Sequence, residues 1–167
     1  MSDELKTLRS ENCSRYHRDV KHCEVSVYLC CGDWDRWRND WHLSGPGRQV
    51  HHIFGRGGPE HEHRSNLIMV SACAHAWGHD RQPNEFRLAC LRAKLEKRTY
   101  WEGLDGSALA KKVVPEFDVP TLEKLTGVPL VDWLEVQGQK VDGVYRDYAE
   151  EMIRWLRATT GSRCSVT

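Results

Sequence analysis

The stretch QVHHIFGRGGPEHEHRSNLIMV, residues 49–70, leaves the chain few ways to fold. Two short apolar runs, QVHHIF and NLIMV, flank a segment rich in glycine, proline and charge, which is the pattern of two strands joined by a loop. The period then changes. SACAHAWGH is small and helix-compatible, with Ser71 as its candidate N-cap. DRQP interrupts, and Asn84 is placed to cap a longer helix, EFRLACLRAKLEKRTYW, in which Leu88, Leu91 and Leu95 form one apolar stripe.

The flanks read as mainly helical. DVPTLEKLTG has Pro120 near its start and Gly127 as its stop, and VYRDYAEEMIRWLRATTG is amphipathic and ends at Gly161. The first forty-five residues are polar and rich in histidine, cysteine and tryptophan. Within them VSVYLCC reads as a strand and DWDRWRNDWHL as a short helix or loop, with Trp34, Trp37 and Trp41 on one packing face. The expected fold class is α+β, a two-stranded hairpin and a helix with additional mainly helical flanks. Residues 1–45 form an N-terminal Cys/Trp-rich extension packing on the core, 46–102 the core and its following helix, and 103–167 a C-terminal helical region.

A chain of 167 residues suffices for one core with extensions. Its 24 basic and 24 acidic side chains cancel, so attraction to nucleic acid would have to come from a local patch. One candidate is the segment from Arg81 to Lys112, with eight Lys and Arg against four acids; it reads equally as a phosphate-tracking surface or a solvated helix face. Seven scattered cysteines and a polar beginning with no signal segment read as reduced thiols in a soluble, cytoplasmic protein. No apolar run has the length of a membrane span.

His75 and His79 stand at i and i+4, so a helix projects both imidazoles from one face toward one ion. A hairpin returns the chain so that the strand carrying His51 and His52 lies against that helix. Neighbouring strand residues face opposite ways, so one imidazole of the doublet can complete a three-histidine site while the other points elsewhere. Three neutral nitrogen ligands with open positions make a catalytic type of metal site, since a structural zinc would want a fourth protein ligand.

The combination of His51, His52, Asn66, His75 and His79, spaced HH-x13-N-x8-H-x3-H, resembles the HNH nucleases of phage or mobile-element type. The resemblance covers about thirty residues at the centre of the chain. It implies a small ββα-metal core in which His51, His75 and His79 hold one divalent ion, Zn2+, Mg2+, Mn2+ or Ni2+. It assigns His52 as the general base and Asn66 as the residue whose loop contact orients that base. The roles suit phosphodiester hydrolysis, where a neutral imidazole activates water and a metal stabilises charge on the phosphate and leaving group. Arg56 reads either as a phosphate clamp or as an exposed loop arginine, and His61 and His63 as solvated loop residues.

Many family members add paired CxxC knuckles for a structural zinc, but SACAH places Ser71 and Ala74 where thiolates would stand. That zinc is not expected in that form; Cys23, Cys30, Cys31 and Cys73 are either an irregular site or buried thiols. The expected function is a metal-dependent DNA endonuclease of weak sequence specificity. A non-cleaving nucleic-acid-binding or structural metal module, and an RNA-directed nuclease, are the alternatives.

Overall fold

A computed structural model describes residues 2–29, 49–80, 82–103 and 114–161. The tryptophan face at 34–41, Cys30, Cys31, Cys164, Arg81, Lys111 and Lys112 lie outside the described residues. Among the described residues the fold is α+β, with one antiparallel hairpin and seven α-helices. None of the described helices is long and apolar enough to cross a membrane.

The hairpin pairs β1 (Gln49–His52) with β2 (Leu67–Val70), in a register that sets Val50 opposite Met69, His51 opposite Ile68 and His52 opposite Leu67. Opposed residues share a face, so His51 goes with Ile68 and Val70, and His52 with Leu67 and Met69. Both faces are covered. Ile68 and Val70 join the main core, while Leu67 and Met69 pack with Val50 against Tyr16 and Val20. Tyr16 belongs to α1 (Asp3–Asp19), a helix capped by Ser2 and too polar to stand out by periodicity. β1 stops at His52 because the chain turns there: the Gly55 N–H donates to the His52 carbonyl at 3.1 Å, and Gly55 takes φ +79°, which favours glycine.

Two expectations fail locally. Instead of a strand, the VSVYLCC segment begins with a helical turn, α2 (Ser26–Leu29). A strand would bury Val25, Val27 and Leu29 together, whereas Val25 and Leu29 are buried at helical spacing and Val27 is 46 % exposed. Asn84 does not cap the long helix either. The helix α4 (Pro83–Gly103) opens on Pro83, whose fixed φ and missing N–H suit a first helical position. The helix before it, α3 (Ala72–Asp80), starts as expected, with Ser71 Oγ accepting from the Ala74 N–H at 3.1 Å. Gly78 lets the two helices approach closely, since a Cβ there would fall 2.1 Å from the Phe86 ring.

Leu88, Leu91 and Leu95 of α4 are buried as the stripe predicts. The helix α5 (Val119–Thr126) carries an Asp118 N-cap and ends at Gly127 with φ +75°. The next, α6 (Leu130–Gly138), escaped the sequence reading, although Leu130 and Leu134 mark its buried face. The last, α7 (Val144–Gly161), buries Tyr148, Ala149, Met152, Ile153 and Leu156 in the same core as α4 and α6.

Beneath β2 lies a buried ionic network. Lys94 is 1 % exposed, and its ammonium donates to Glu116 at 2.6 Å and to the Tyr16 hydroxyl at 2.8 Å. Tyr16 donates onward to Glu24 at 2.6 Å, and Glu24 accepts from the Met69 N–H at 2.8 Å and pairs with Lys97 at 3.1 Å. Arg64 pairs with both Glu116 and Asp19. Four distant stretches of chain are thus tied to one point. Other basic residues of α4 are also engaged within the fold. Arg92 pairs with Glu151, Arg87 donates to the Ile53 carbonyl and Arg98 to the Phe117 carbonyl.

Replacing Lys94 by Met leaves Glu116 buried without its main cation, so the variant should lose roughly 3–5 kcal/mol in urea unfolding. Burial alone would raise the Glu116 carboxyl, but Lys94, Lys97 and Arg64 hold it at about 2 against an ordinary 4.5. A carboxyl lowered by folding stabilises above its unfolded value and loses that effect on acidification. The unfolding midpoint should therefore fall as pH drops from 4.5 toward about 2, and fall less steeply in Glu116→Gln.

Candidate active site

Register decides where the doublet goes. His51, on the core face, meets His75 of α3 edge to face with ring centroids 5.0 Å apart, and Phe86 of α4 at 5.1 Å. His79 lies one turn further along α3, and its side chain is outside the described residues. The structure thus brings together two of the three expected metal ligands.

His52, on the opposite face, is 4 % exposed and meets Glu62, itself 3 % exposed, through Nε2 and Oε2 at 3.0 Å. The other carboxylate oxygen of Glu62 takes the Arg9 guanidinium at 2.6 Å, and the Glu62 carbonyl accepts from Asn12 at 3.2 Å. The Arg56 Nε–H points at His52 Nδ1 from 3.4 Å. These partners fix the tautomer: the proton sits on Nε2 facing the carboxylate, and the Nδ1 lone pair faces the weakly held arginine. Burial lowers the His52 pKa and outweighs the Glu62 carboxylate, which raises it, so the imidazole is neutral at pH 7. Glu62 stays ionised because Arg9 and His52 overcome the burial that would raise it.

Asn66 is fully buried at the foot of β2 and binds the loop at three points. Its carbonyl oxygen accepts from the Phe54 N–H at 2.8 Å, and its amide donates to the carbonyls of Gly55 at 3.2 Å and His61 at 2.8 Å. Both ends of the segment carrying Arg56 are fastened, next to the histidine that Arg56 touches. His61 and His63 are not the solvated residues expected. His61 is half-buried against Gly57, and His63 caps the 3-10 turn Arg64–Asn66, its Nδ1 accepting from the Ser65 N–H at 3.2 Å.

A cleft of about 660 Å³ is lined by Cys13, Ser14 and His17 of α1, Gln49 and Val50 of β1, Arg56 and His75. A smaller one of about 120 Å³ includes His51, His52, Phe86 and Arg87 in its wall. Cys13 Sγ lies within 4.8 Å of donor atoms of both His52 and Glu62. Cys23 and Cys90 are buried and Cys73 is exposed; among the described residues, none of them joins a cluster of three metal-binding side chains. Sequence reasoning missed Glu62, Arg9 and Cys13. Glu62 alone had a local signal, as an acid inside the loop that follows the doublet.

Asn66→Ala strips partners from one buried N–H and two carbonyls, so a loss of at least ~2 kcal/mol is expected. Hydrogen exchange at the Phe54 amide should accelerate beyond the change at β2 amides, marking release of the loop.

No protein-family profile, curated protein or solved structure matches the chain.

Proposed function

We propose that the chain is a metal-dependent endonuclease with a ββα-metal core of the HNH kind, hydrolysing phosphodiester bonds in DNA. The observation that carries this reading is the division of the doublet: His51 faces His75, while His52 faces Glu62 and turns Nδ1 toward Arg56. A pair of imidazoles on adjacent elements, with a third one turn along the same helix, is a donor set that favours binding of one borderline divalent ion such as Zn2+, Ni2+ or Mn2+. His51, His75 and His79 would hold it. When bound, the ion supplies stabilisation of charge on the phosphate and the leaving oxygen.

The chain's own groups account for the rest. The water proton passes to His52 Nδ1, and the positive charge that forms on the ring is stabilised by Glu62 through Nε2–H. Arg9 holds Glu62 in place from the side away from His52. Arg56, whose contact to Nδ1 at 3.4 Å is the longest in the site, swings to a phosphate oxygen and frees the lone pair. Asn66 keeps the loop carrying Arg56 at the right height.

The burial of His52 favours one rival, a non-cleaving module in which His52 and Glu62 are a structural pair. The two readings part in a nicking assay on supercoiled plasmid with Mg2+, Mn2+, Ni2+ or Zn2+ in turn. The nuclease should relax the plasmid with at least one ion, and His52→Ala should slow it roughly 10²–10⁴-fold while metal binding persists. Wild-type protein that binds metal and nicks under none of the ions would sink the enzyme reading.

The pH profile tests the pairing with Glu62. Activity should fall on acidification as His52 takes a proton, with the midpoint below the ordinary 6.5. Glu62 favours the protonated ring, so Glu62→Gln should move that midpoint to still lower pH and reduce the plateau rate. A midpoint that stays put or rises would remove Glu62 from the role.

A further inference from the structure

We propose that Cys13, His52 and Glu62 form a second, inhibitory site for a soft divalent cation such as Zn2+, which silences the nuclease by occupying its general base. The inhibitory part rests on the nuclease reading; the site itself does not.

One thiol, one imidazole nitrogen and one carboxylate oxygen all lie within 4.8 Å of one another, and they come from α1, β1 and the loop that follows it. This is the only such group of three among the described residues. His52 and Glu62 are buried, and half-buried Cys13 lines the 660 Å³ cleft, so the cysteine is the point of entry. Thiolate with imidazole and carboxylate is a zinc donor set, and three protein ligands leave a position for water. Hard Mg2+ has little use for a thiolate, so this site discriminates strongly against it.

The charges balance narrowly. Binding displaces the Cys13 proton, and the thiolate with the Glu62 carboxylate then offsets the two charges of the ion. Arg9 already takes one Glu62 oxygen, leaving the one that faces His52, and Arg56 stands close by. These guanidinium groups oppose the ion and hold its affinity below that of an unencumbered site. Inhibition then follows from the ring itself. A neutral imidazole has a single nitrogen lone pair. If the ion takes Nδ1, the base is covered directly; if it takes Nε2, the ring proton moves to Nδ1 and no lone pair remains for water.

Cobalt(II) is the probe, because a thiolate bound to it gives a near-ultraviolet charge-transfer band that histidine ligands do not. Wild-type protein titrated with Co2+ should develop that band; Cys13→Ser should lose it, and His51→Ala should keep it. In the nicking assay supported by Mg2+ or Mn2+, the Zn2+ concentration that halves the rate should rise at least about ten-fold in Cys13→Ser, since even outer-shell changes cost metal sites that much. A wild-type spectrum without the band, or a band that survives Cys13→Ser, overturns the site. A Cys13-dependent band with Zn2+ sensitivity unchanged in Cys13→Ser overturns the inhibition. A Cys13-dependent band in a protein that nicks under no ion upholds the site while the nuclease reading falls.

Discussion

An ammonium group buried at Lys94 is the constraint on which the rest of this structure turns. A cation taken out of water costs several kcal/mol unless it is fully paired, so acids and hydroxyls must be delivered to it from elsewhere in the chain. Tyr16 comes from α1, Glu24 from the segment after it, and Glu116 from the 3-10 turn Val114–Phe117. Satisfying one lysine therefore positions α1 against the hairpin. That placement brings Arg9, Asn12 and Cys13 to the second face of β1, where His52 and Glu62 are waiting. The network thus acts on the site at one remove, through the helix it anchors.

Strand parity does the remaining sorting. With only four residues in β1, a shift of one position would turn His51 toward α1 and His52 toward Phe86, exchanging their surroundings. The register is held by Leu67 and Met69 packing on Tyr16 and Val20, and by Ile68 and Val70 in the larger core. Apolar packing on two faces thereby fixes which imidazole meets another imidazole and which meets a carboxylate.

Features written in adjacent residues were legible from the sequence. The hairpin, the Ser71 cap, the leucine stripe of α4 and the Gly127 stop all follow from spacing or from one residue's conformational preference. That one imidazole of the doublet turns toward the helix was legible too, because it needs only a hairpin and a helix; that it is His51 was implied only by the family resemblance. Partners remote in sequence were not legible. Arg9 and Glu62 are separated by 53 positions, and α1 is polar enough that nothing in its own text announces a binding face. The partners of the basic residues of α4 were hidden for the same reason: their acids, among them Glu24, Glu116 and Glu151, lie in other segments. The helix α2 was misread because an alternating apolar run of a few residues suits strand and helix alike until its packing partners are known.

The dependence on α1 also sets an order in time. A ribosome makes α1 first, the hairpin next and Glu116 last, and Lys94 can be buried only when that last piece has emerged. Until then the network that anchors α1, and with it the placement of Arg9 beside Glu62 and His52, is incomplete. The proposed site would therefore be assembled late in synthesis, well after the histidines that belong to it have emerged.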